Sequence, residues 1–277
     1  MKEEKVRKMV RECYGHVAQN RSACCTSTPC SCPSQTSEEV NRTLGYSTEE
    51  LRSVPTGANL GLGCGNPTAL AALKREEIVL DLGSGAGFDC FLAAQKVGKM
   101  GKVIGVDMTP EMLDKAKTNA RKGHYTNVEF RLGEIENLPV ADNSVNVIIS
   151  NCVINLSPNK NRVFEEAFRV LAPTGRLLVS DIVLLKALPS LLRKNVEAYV
   201  GCLAGADLKD TYLDRIRHAG FQEVTIVEEK KFPLESLVSE STIQTLIQTL
   251  KIPAAQVTEI RASALSVYVS AVKPRKR

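Results

Sequence analysis

One stretch decides the fold: Ile78-Val79-Leu80-Asp81-Leu82-Gly83-Ser84-Gly85-Ala86-Gly87-Phe88-Asp89-Cys90. A short apolar run ends in three glycines within five residues, and a helical segment follows. This order predicts a buried parallel strand, a tight turn and the start of a helix. Glycine is needed at such a turn because a Cβ would keep a bulky ligand from approaching the backbone.

The next predicted strand, 102–107, ends in an acid, Asp107, twenty residues after Gly87. Its carboxylate is well placed to accept hydrogen bonds from two ribose hydroxyls. The glycines are spaced G-x-G-x-G, preceded by Asp81, and not G-x-G-x-x-G. This spacing is typical of class I S-adenosylmethionine (SAM) methyltransferases, so we expect SAM as the methyl donor. The alternatives are a nicotinamide-binding enzyme and a related fold that binds no ligand.

Apolar strands alternate with helices from residue 77 onward, which indicates a doubly wound, mostly parallel α/β sheet. Seven strands are predicted, the last of them antiparallel: 77–82, 102–107, 126–132, 145–151, 175–182, 222–228 and 263–272. The predicted helices are 2–19, one within 43–52, one ending near 73, 88–97, 110–122, 159–171, 184–206 and 211–219, with further helical periodicity in an insertion at 234–261.

These elements divide the chain into three parts. Residues 1–73 form an N-terminal extension with a cysteine-rich loop, and 74–183 form the SAM-binding core. Residues 184–277 complete the sheet, carry a substrate-binding segment and end in a basic tail, 273–277. Ligands of such sheets bind beyond the carboxyl ends of the strands. The candidate cofactor-binding residues are therefore Asp81, Gly83, Ser84, Gly85, Gly87, Asp107, Met108, Glu134, Ile135 and Asn151, of which Glu134 and Ile135 would contact adenine.

Composition narrows the possible partners. A chain of 277 residues with 43 % hydrophobic residues suffices for one α/β core with additions. The net charge is +5, but four of these charges lie in the tail, which we expect to be solvated, so no nucleic-acid partner is predicted. There is no run of 18 apolar residues and no signal peptide, so we expect a cytoplasmic monomer without a membrane segment.

Nine cysteines in a reducing compartment call for an explanation other than a disulfide scaffold. Cys64 lies in a glycine-rich loop, Cys152 follows the fourth strand and Cys202 follows the fifth. Because strands four and five end beside the methyl donor in this topology, we expect Cys152 and Cys202 to converge at the reaction site. For a single cysteine, packing as a small apolar residue is the alternative.

Three widely separated thiols favour binding of a soft atom that is coordinated by three ligands. No C-x-x-C pair or paired Cys/His spacing is present, so a four-ligand zinc site is poorly supported and no metal cofactor is predicted. Arsenic(III) is soft, thiophilic and trigonal pyramidal, and its lone pair is free to attack the sulfonium methyl in line. The enzyme would then contribute positioning and desolvation more than acid–base chemistry.

Four segments carry a family resemblance: GLGCGNP at 61–67, DLGSGAGFDC at 81–90, SNCVINLSPNK at 150–160 and CLAGA at 202–206. Together they resemble the arsenite SAM methyltransferases over roughly residues 10 to 273. The resemblance implies that Cys152 and Cys202 bind As(III) directly, and that Cys64 supplies a third thiolate or forms a disulfide with an N-terminal cysteine. It also implies arsenite or its glutathione conjugates as substrate, and a thiol reductant such as thioredoxin or glutathione.

The N-terminal cysteine of the family has four candidates here, Cys24, Cys25, Cys30 and Cys32. Spacing does not choose among them, and we favour Cys24 and Cys25 as the functional ones. The cluster is alternatively a metalloid-trapping loop or an oxidation-prone linker. Two other functions remain open at this stage: a small-molecule C- or O-methyltransferase of the quinone-biosynthesis type, and a non-enzymatic, thiol-rich metalloid-binding protein.

Overall fold

The computed structural model describes residues 3–20, 37–188, 202–232 and 262–275. The strands are β1 (Ile78–Leu82), β2 (Lys102–Asp107), β3 (Val128–Leu132), β4 (Val145–Asn151), β5 (Leu171–Leu184), β6 (Gln222–Lys231) and β7 (Ala264–Val272). The helices are α1 (Glu3–Asn20), α2 (Ser37–Thr43), α3 (Thr48–Ser53), α4 (Pro67–Leu70), α5 (Phe88–Val97), α6 (Pro110–Lys122), α7 (Lys160–Val170) and α8 (Lys209–His218), with a 3₁₀ turn at Ile154–Leu156. Among these helices, none has the length and apolar character that crossing a membrane requires.

The seven strands form a single sheet in the order β3-β2-β1-β4-β5-β7-β6. The pairs from β3 through β5 are parallel, and β7 runs antiparallel to both β5 and β6. The predicted fold class and the antiparallel last strand are therefore confirmed. The strand order reverses at β1, between β2 and β4, and this is where a doubly wound sheet binds its ligand.

Each face of the sheet is covered by helices with its own hydrophobic core. On one face, α5 and α6 pack through side chains such as Phe91 and Leu113. On the other, α7 and α8 contribute Phe164 and Tyr212, whose rings meet edge to face. The N-terminal helix α1 packs onto α6 around the fully buried Met112. This contact brings α1 to the carboxyl ends of the strands.

The predicted helix at 184–206 is wrong at both of its described ends. Strand β5 continues to Leu184, which pairs with Ala264 of β7, and residues 185–188 and 202–207 are not helical. Pairing with a distant strand decided the local structure, and the apolar run alone does not reveal it. The domain boundary predicted after residue 183 falls within β5. The centre of that predicted helix and the insertion at 234–261 lie outside the described residues.

Candidate active site

The turn after β1 is built by backbone that only glycine adopts easily. Gly83 and Gly85 have φ angles of +70° and +51°, in the left-handed region. The amides of Gly83 and Ser84 both donate to the carbonyl of Val106, at 2.8 and 3.0 Å, which ties the turn to β2. A Cβ on Gly83 would lie 2.4 Å from Cγ2 of Val153, whereas one on Gly85 would meet nothing within 4 Å. The turn is therefore closely packed on one side and open on the other.

Asp107 ends β2 beside this turn. Its carboxylate accepts hydrogen bonds from the amides of Gly85, at 2.9 Å, and Thr109, at 2.8 Å. Burial raises the pKa of Asp107, and the backbone hydrogen bonds oppose that shift. These contacts fix the carboxylate at the position predicted for a ribose acceptor.

A cavity of about 590 Å³ opens above the turn. Eight of the ten predicted cofactor residues line it: Asp81, Gly83, Ser84, Gly85, Asp107, Met108, Ile135 and Asn151. The hydroxyl of Ser84 is buried and has no hydrogen-bond partner in the described part of the chain. A glycine turn, a fixed carboxylate and an unsatisfied hydroxyl around one cavity fit a polar nucleoside ligand such as SAM.

The other two predicted cofactor residues lie outside the cavity wall. Gly87 immediately precedes α5. A Cβ at this position would lie 2.8 Å from the rings of Phe91 and Phe130, so the packing of the core requires glycine here. Glu134 directs its carboxylate to Arg7 and Arg11 of α1, at 3.3 and 3.2 Å. The carboxylate of Glu134 thus forms ion pairs with the N-terminal helix.

The three predicted thiols converge at one edge of the cavity, although they lie far apart in the chain. The Sγ atoms of Cys64 and Cys152 lie within 4.8 Å of each other, and the thiols of Cys202 and Cys64 both raise the pKa of Cys152. The Cys202 thiol also donates to the carbonyl of Cys152, at 2.9 Å. Cys152 and Cys202 line the cavity, and Cys64 lies directly behind them.

Two of these cysteines have a backbone conformation that is unfavourable for any residue with a Cβ. Cys152 has a φ of +58° and Cys202 a φ of +63°. Left-handed backbone costs a non-glycine residue about 1–2 kcal/mol, and strain of this kind concentrates at functional sites. The observation supports a role for both thiols beyond packing.

All three thiols are more than nine-tenths buried, and the surroundings of Cys64 and Cys152 favour the protonated form of these two thiols. Hydrogen bonds with Cys202 and Cys64, followed by burial, raise the pKa of Cys152 well above its ordinary value. Burial likewise raises the pKa of Cys64. A site of neutral thiols suits a ligand whose leaving groups carry away the thiol protons better than it suits a bare cation.

The remaining cysteines take other positions. Cys90 is buried in α5, where its thiol donates to Asp81 at 3.2 Å, in line with a packing role. Cys13 on α1 is disulfide-bonded, so the expectation of reduced thiols throughout is wrong at that position. The four N-terminal candidates, Cys24, Cys25, Cys30 and Cys32, lie outside the described residues.

Three side chains of the site were missed by sequence reasoning. Tyr14 of α1 lines the cavity, and its ring hydroxyl is hydrogen-bonded to Cys202. Asp89 of α5 also lines it, and accepts from the Tyr46 hydroxyl at 2.7 Å. The third, Asp181 of β5, has a carboxylate oxygen within 4.8 Å of the sulfurs of Cys64 and Cys152. Asp89 and Asp181 lie next to elements that were predicted to border the site, but nothing in the sequence indicated that the helix of Tyr14 would reach it.

Comparison with known proteins identifies the family of this chain. A family described as a methyltransferase domain matches residues 73–230. The crystal structure of an arsenic(III) S-adenosylmethionine methyltransferase from Chlamydomonas reinhardtii superposes with a TM-score of 0.63 at 32 % identity, over 88 % of this chain and 75 % of that one. This chain belongs to the arsenite methyltransferase family.

Two relatives within this family cover most of the chain. The arsenite methyltransferase of Halobacterium salinarum is 50 % identical over 230 residues, which are 80 % of this chain and 59 % of that protein. The arsenite methyltransferase of Aquipseudomonas alcaligenes is 38 % identical over 228 residues, 80 % of this chain and 63 % of that protein. The chain thus spans about three-fifths of the length of these curated relatives.

Proposed function

We propose that the protein transfers methyl groups from SAM to trivalent arsenic bound by Cys64, Cys152 and Cys202. The observation that carries the proposal is the convergence of these three buried thiols at one edge of the cavity above the glycine turn, where Cys152 and Cys202 line the wall and Cys64 lies behind them. Soft sulfur ligands in a three-coordinate arrangement suit As(III). The family to which the chain belongs supports the same assignment.

The methyl donor is assigned to the cavity between the glycine turn and Asn151. When bound there, SAM supplies an electrophilic methyl group. Asp107 accepts the ribose hydroxyls, and the open side of Gly85 lets the ligand approach the backbone. Asn151 is held by its Nδ2, which donates to the carbonyl of Gly65 at 2.8 Å and to Asp89 at 3.1 Å. It thus links the cavity to the loop that carries Cys64.

The raised pKa values of Cys64 and Cys152 define how the substrate enters. Arsenite brings three hydroxyl groups, and a glutathione conjugate brings three thiolates. Each protein thiol that forms an As–S bond passes its proton to the departing group, which leaves as water or as free thiol. No external base is needed, and the buried site stays neutral. The raised pKa values of Cys64 and Cys152 therefore do not oppose this substrate, whereas a divalent cation would have to displace the protons as ions.

The remaining parts of the proposal concern partners. Arsenic returns to the trivalent state between transfers only if two electrons are supplied, so a thiol reductant such as glutathione or thioredoxin is proposed. The N-terminal cysteines 24 and 25 are proposed to take part in that exchange. A reducing compartment such as the cytoplasm and a monomeric state complete the proposal.

The decisive experiment combines purified protein with arsenite, glutathione and SAM, and separates methylated arsenicals by chromatography. Wild-type protein is expected to form them, and Cys152→Ser, Cys202→Ser and Cys64→Ser to lose most of the turnover. Cys90→Ser is the matched control, since Cys90 is an equally buried free thiol that packs in α5. Full turnover by the Cys152 or Cys202 variant would refute the proposed ligand set.

The same reagents separate the alternative functions. Arsenite binding without SAM binding, measured by calorimetry, would identify a metalloid-binding protein. Consumption of SAM with a quinol-type acceptor but not with arsenite would identify a methyltransferase of the quinone-biosynthesis type. The first result would exclude methyl transfer but keep arsenic as the ligand, and the second would exclude arsenic as the substrate.

A further inference from the structure

Asp181 is a buried acid at the thiol cluster to which the mechanism above gives no role. It lies near the end of β5, is 1 % exposed, and has a carboxylate oxygen within 4.8 Å of the sulfurs of Cys64 and Cys152. Two neighbouring side chains hold it. Its Oδ1 accepts from Nδ2 of Asn155 at 2.7 Å, and its Oδ2 accepts from the hydroxyl of Tyr212 at 3.1 Å.

The described residues provide no ion pair for this carboxylate. The ammonium of Lys160 acts on it from a distance, but donates to the carbonyl of Gly205 at 2.6 Å and lies 3.9 Å from Asp207. A buried acid that is hydrogen-bonded in place, yet has no cation against it, is costly to the fold. An acid retained under those conditions is suited to meet a positive charge that is present only during the reaction.

Methyl transfer to arsenic produces such a charge, if the proposed function is correct. The arsenic lone pair forms the As–C bond while the C–S bond of the sulfonium breaks, and the bonding electron pair stays on sulfur. The donor becomes a neutral thioether, and the positive charge it carried arrives on arsenic. Three thiolates leave As(III) neutral before this step, so the charge at the metalloid rises from zero to +1.

We infer that Asp181 is a further catalytic residue, whose carboxylate stabilises the positive charge that develops on arsenic during transfer. It lies against two of the three sulfurs that hold the metalloid, at the end that receives the charge. Fixed groups aimed at a charge that develops in the transition state accelerate a reaction without first having to reorganise. Asn155 and Tyr212 serve as positioning residues, because each donates a hydrogen bond that orients the carboxylate.

This role differs from that of a fourth ligand in a way that experiment can resolve. If arsenic is already saturated by three sulfurs, removing the carboxylate charge leaves As(III) binding intact and slows only the chemical step. If the carboxylate is instead a ligand, arsenite affinity falls with it. The two cases separate in a measurement of binding against single-turnover rate.

The test is Asp181→Asn, which keeps the shape and one hydrogen-bond acceptor but removes the charge. Protein loaded with arsenite and glutathione is mixed with SAM at pH 8.5, above the pKa of about 7 that burial gives Asp181, and formation of S-adenosylhomocysteine is followed over a single turnover. We expect a rate about 10²-fold below wild type, which is typical for losing one preorganised electrostatic contact. The dissociation constants for arsenite and SAM should remain within about threefold of wild type, because neither bound ground state depends on the carboxylate.

Three further variants make the result interpretable. Asp181→Ser is a second neutral replacement, used if the Asn variant does not fold. Tyr212→Phe keeps the charge and removes one hydrogen bond, so it should slow the step far less than Asp181→Asn. Glu166→Gln removes a carboxylate that is equally buried but pairs with Arg169 away from the site, and should leave the rate unchanged.

The outcomes distinguish this inference from the proposed function. Wild-type protein that forms no methylarsenical refutes the proposed function itself. Active wild-type protein with a folded Asp181→Asn variant of equal single-turnover rate refutes only the role of Asp181. An arsenite affinity lowered in parallel with the rate would also overturn it, and assign the carboxylate as a ligand.

Discussion

The left-handed backbone at Cys152 should make glycine more favourable than alanine there, which reverses the usual order. At an ordinary position glycine is less stable than alanine by about 0.5–1 kcal/mol, because the unfolded chain gains conformational freedom. At a φ of +58° alanine keeps a strain of about 1–2 kcal/mol that glycine does not have. The net expectation is that Cys152→Gly is more stable than Cys152→Ala by roughly 0.5–1 kcal/mol.

Cys90 provides the matched control. It is also a free, fully buried cysteine, but it lies in α5 and is not among the residues with positive φ. Cys90→Gly should be less stable than Cys90→Ala by about 1 kcal/mol, the usual cost of glycine within a helix. Each alanine–glycine comparison is made after the thiol has been removed, so the loss of the sulfur cancels within each pair.

Urea unfolding followed by far-ultraviolet circular dichroism measures these differences, since the chain has no tryptophan to report by fluorescence. The four variants are unfolded under reducing conditions. Their free energies of unfolding are compared, provided that the slope of free energy against urea concentration is the same for each variant. Opposite signs at the two positions are the expected result. If glycine is the less stable residue at Cys152 as well, the strain at this cysteine is absent, and the argument that strain marks a functional thiol fails.

Three further predictions concern the glycine turn and the two acids. Gly83→Ala should unfold at a lower temperature than Gly85→Ala, because only the first Cβ would meet Val153, at 2.4 Å; equal melting temperatures would contradict the packing described. Asp107→Asn should weaken SAM binding about 10- to 100-fold, the value of one charge-assisted hydrogen bond, and calorimetry showing wild-type affinity would exclude it as the ribose acceptor. Burial raises the pKa of Asp181 to about 7 from 3.8, so the folded state holds its proton more tightly, and stability should fall as pH rises from about 4 to 7. Asp181→Asn should flatten that part of the profile, and urea unfolding that gives wild type and variant the same change in free energy of unfolding between pH 5 and pH 8 would show that the acid is not perturbed.

The alternating part of the fold was predictable because its signals are local. Each parallel strand is a short apolar run, each following helix has its own periodicity, and β1, β2 and β4 were placed to within one residue. Strand β5 was different. Its last residues pair with β7, some eighty residues further along the chain, and no local pattern distinguishes such an extension from the start of an apolar helix.

The residues of the candidate site also divide into those that a local sequence signal marks and those that depend on distant contacts. Gly83 and Asp107 could be predicted because a turn and a strand end mark them locally. The convergence of Cys152 with Cys202 could also be inferred, from where strands end in a parallel sheet. Asp181 and Tyr14 could not be predicted, because their positions depend on how β5 and α1 pack against other elements. The left-handed backbone at two cysteines is likewise invisible in sequence, since nothing but tertiary packing enforces it.

Several features of the thiol cluster cost the folded protein free energy, and they favour the same substrate. Cys152 and Cys202 are held in left-handed backbone, and Asp181 is buried without an ion pair among the described residues. In the proposed reaction, the protonated thiols of Cys64 and Cys152 accept a neutral arsenic species without releasing protons into the core, and the resulting trithiolate carries no net charge. Under the same proposal, Asp181 provides the negative charge that the sulfurs no longer carry, at the moment when methylation makes the arsenic positive. A core selected for stability alone would have other residues at these positions. Their presence together is best explained by a site in which the negative charge of Asp181 is needed only while the methyl group is being transferred.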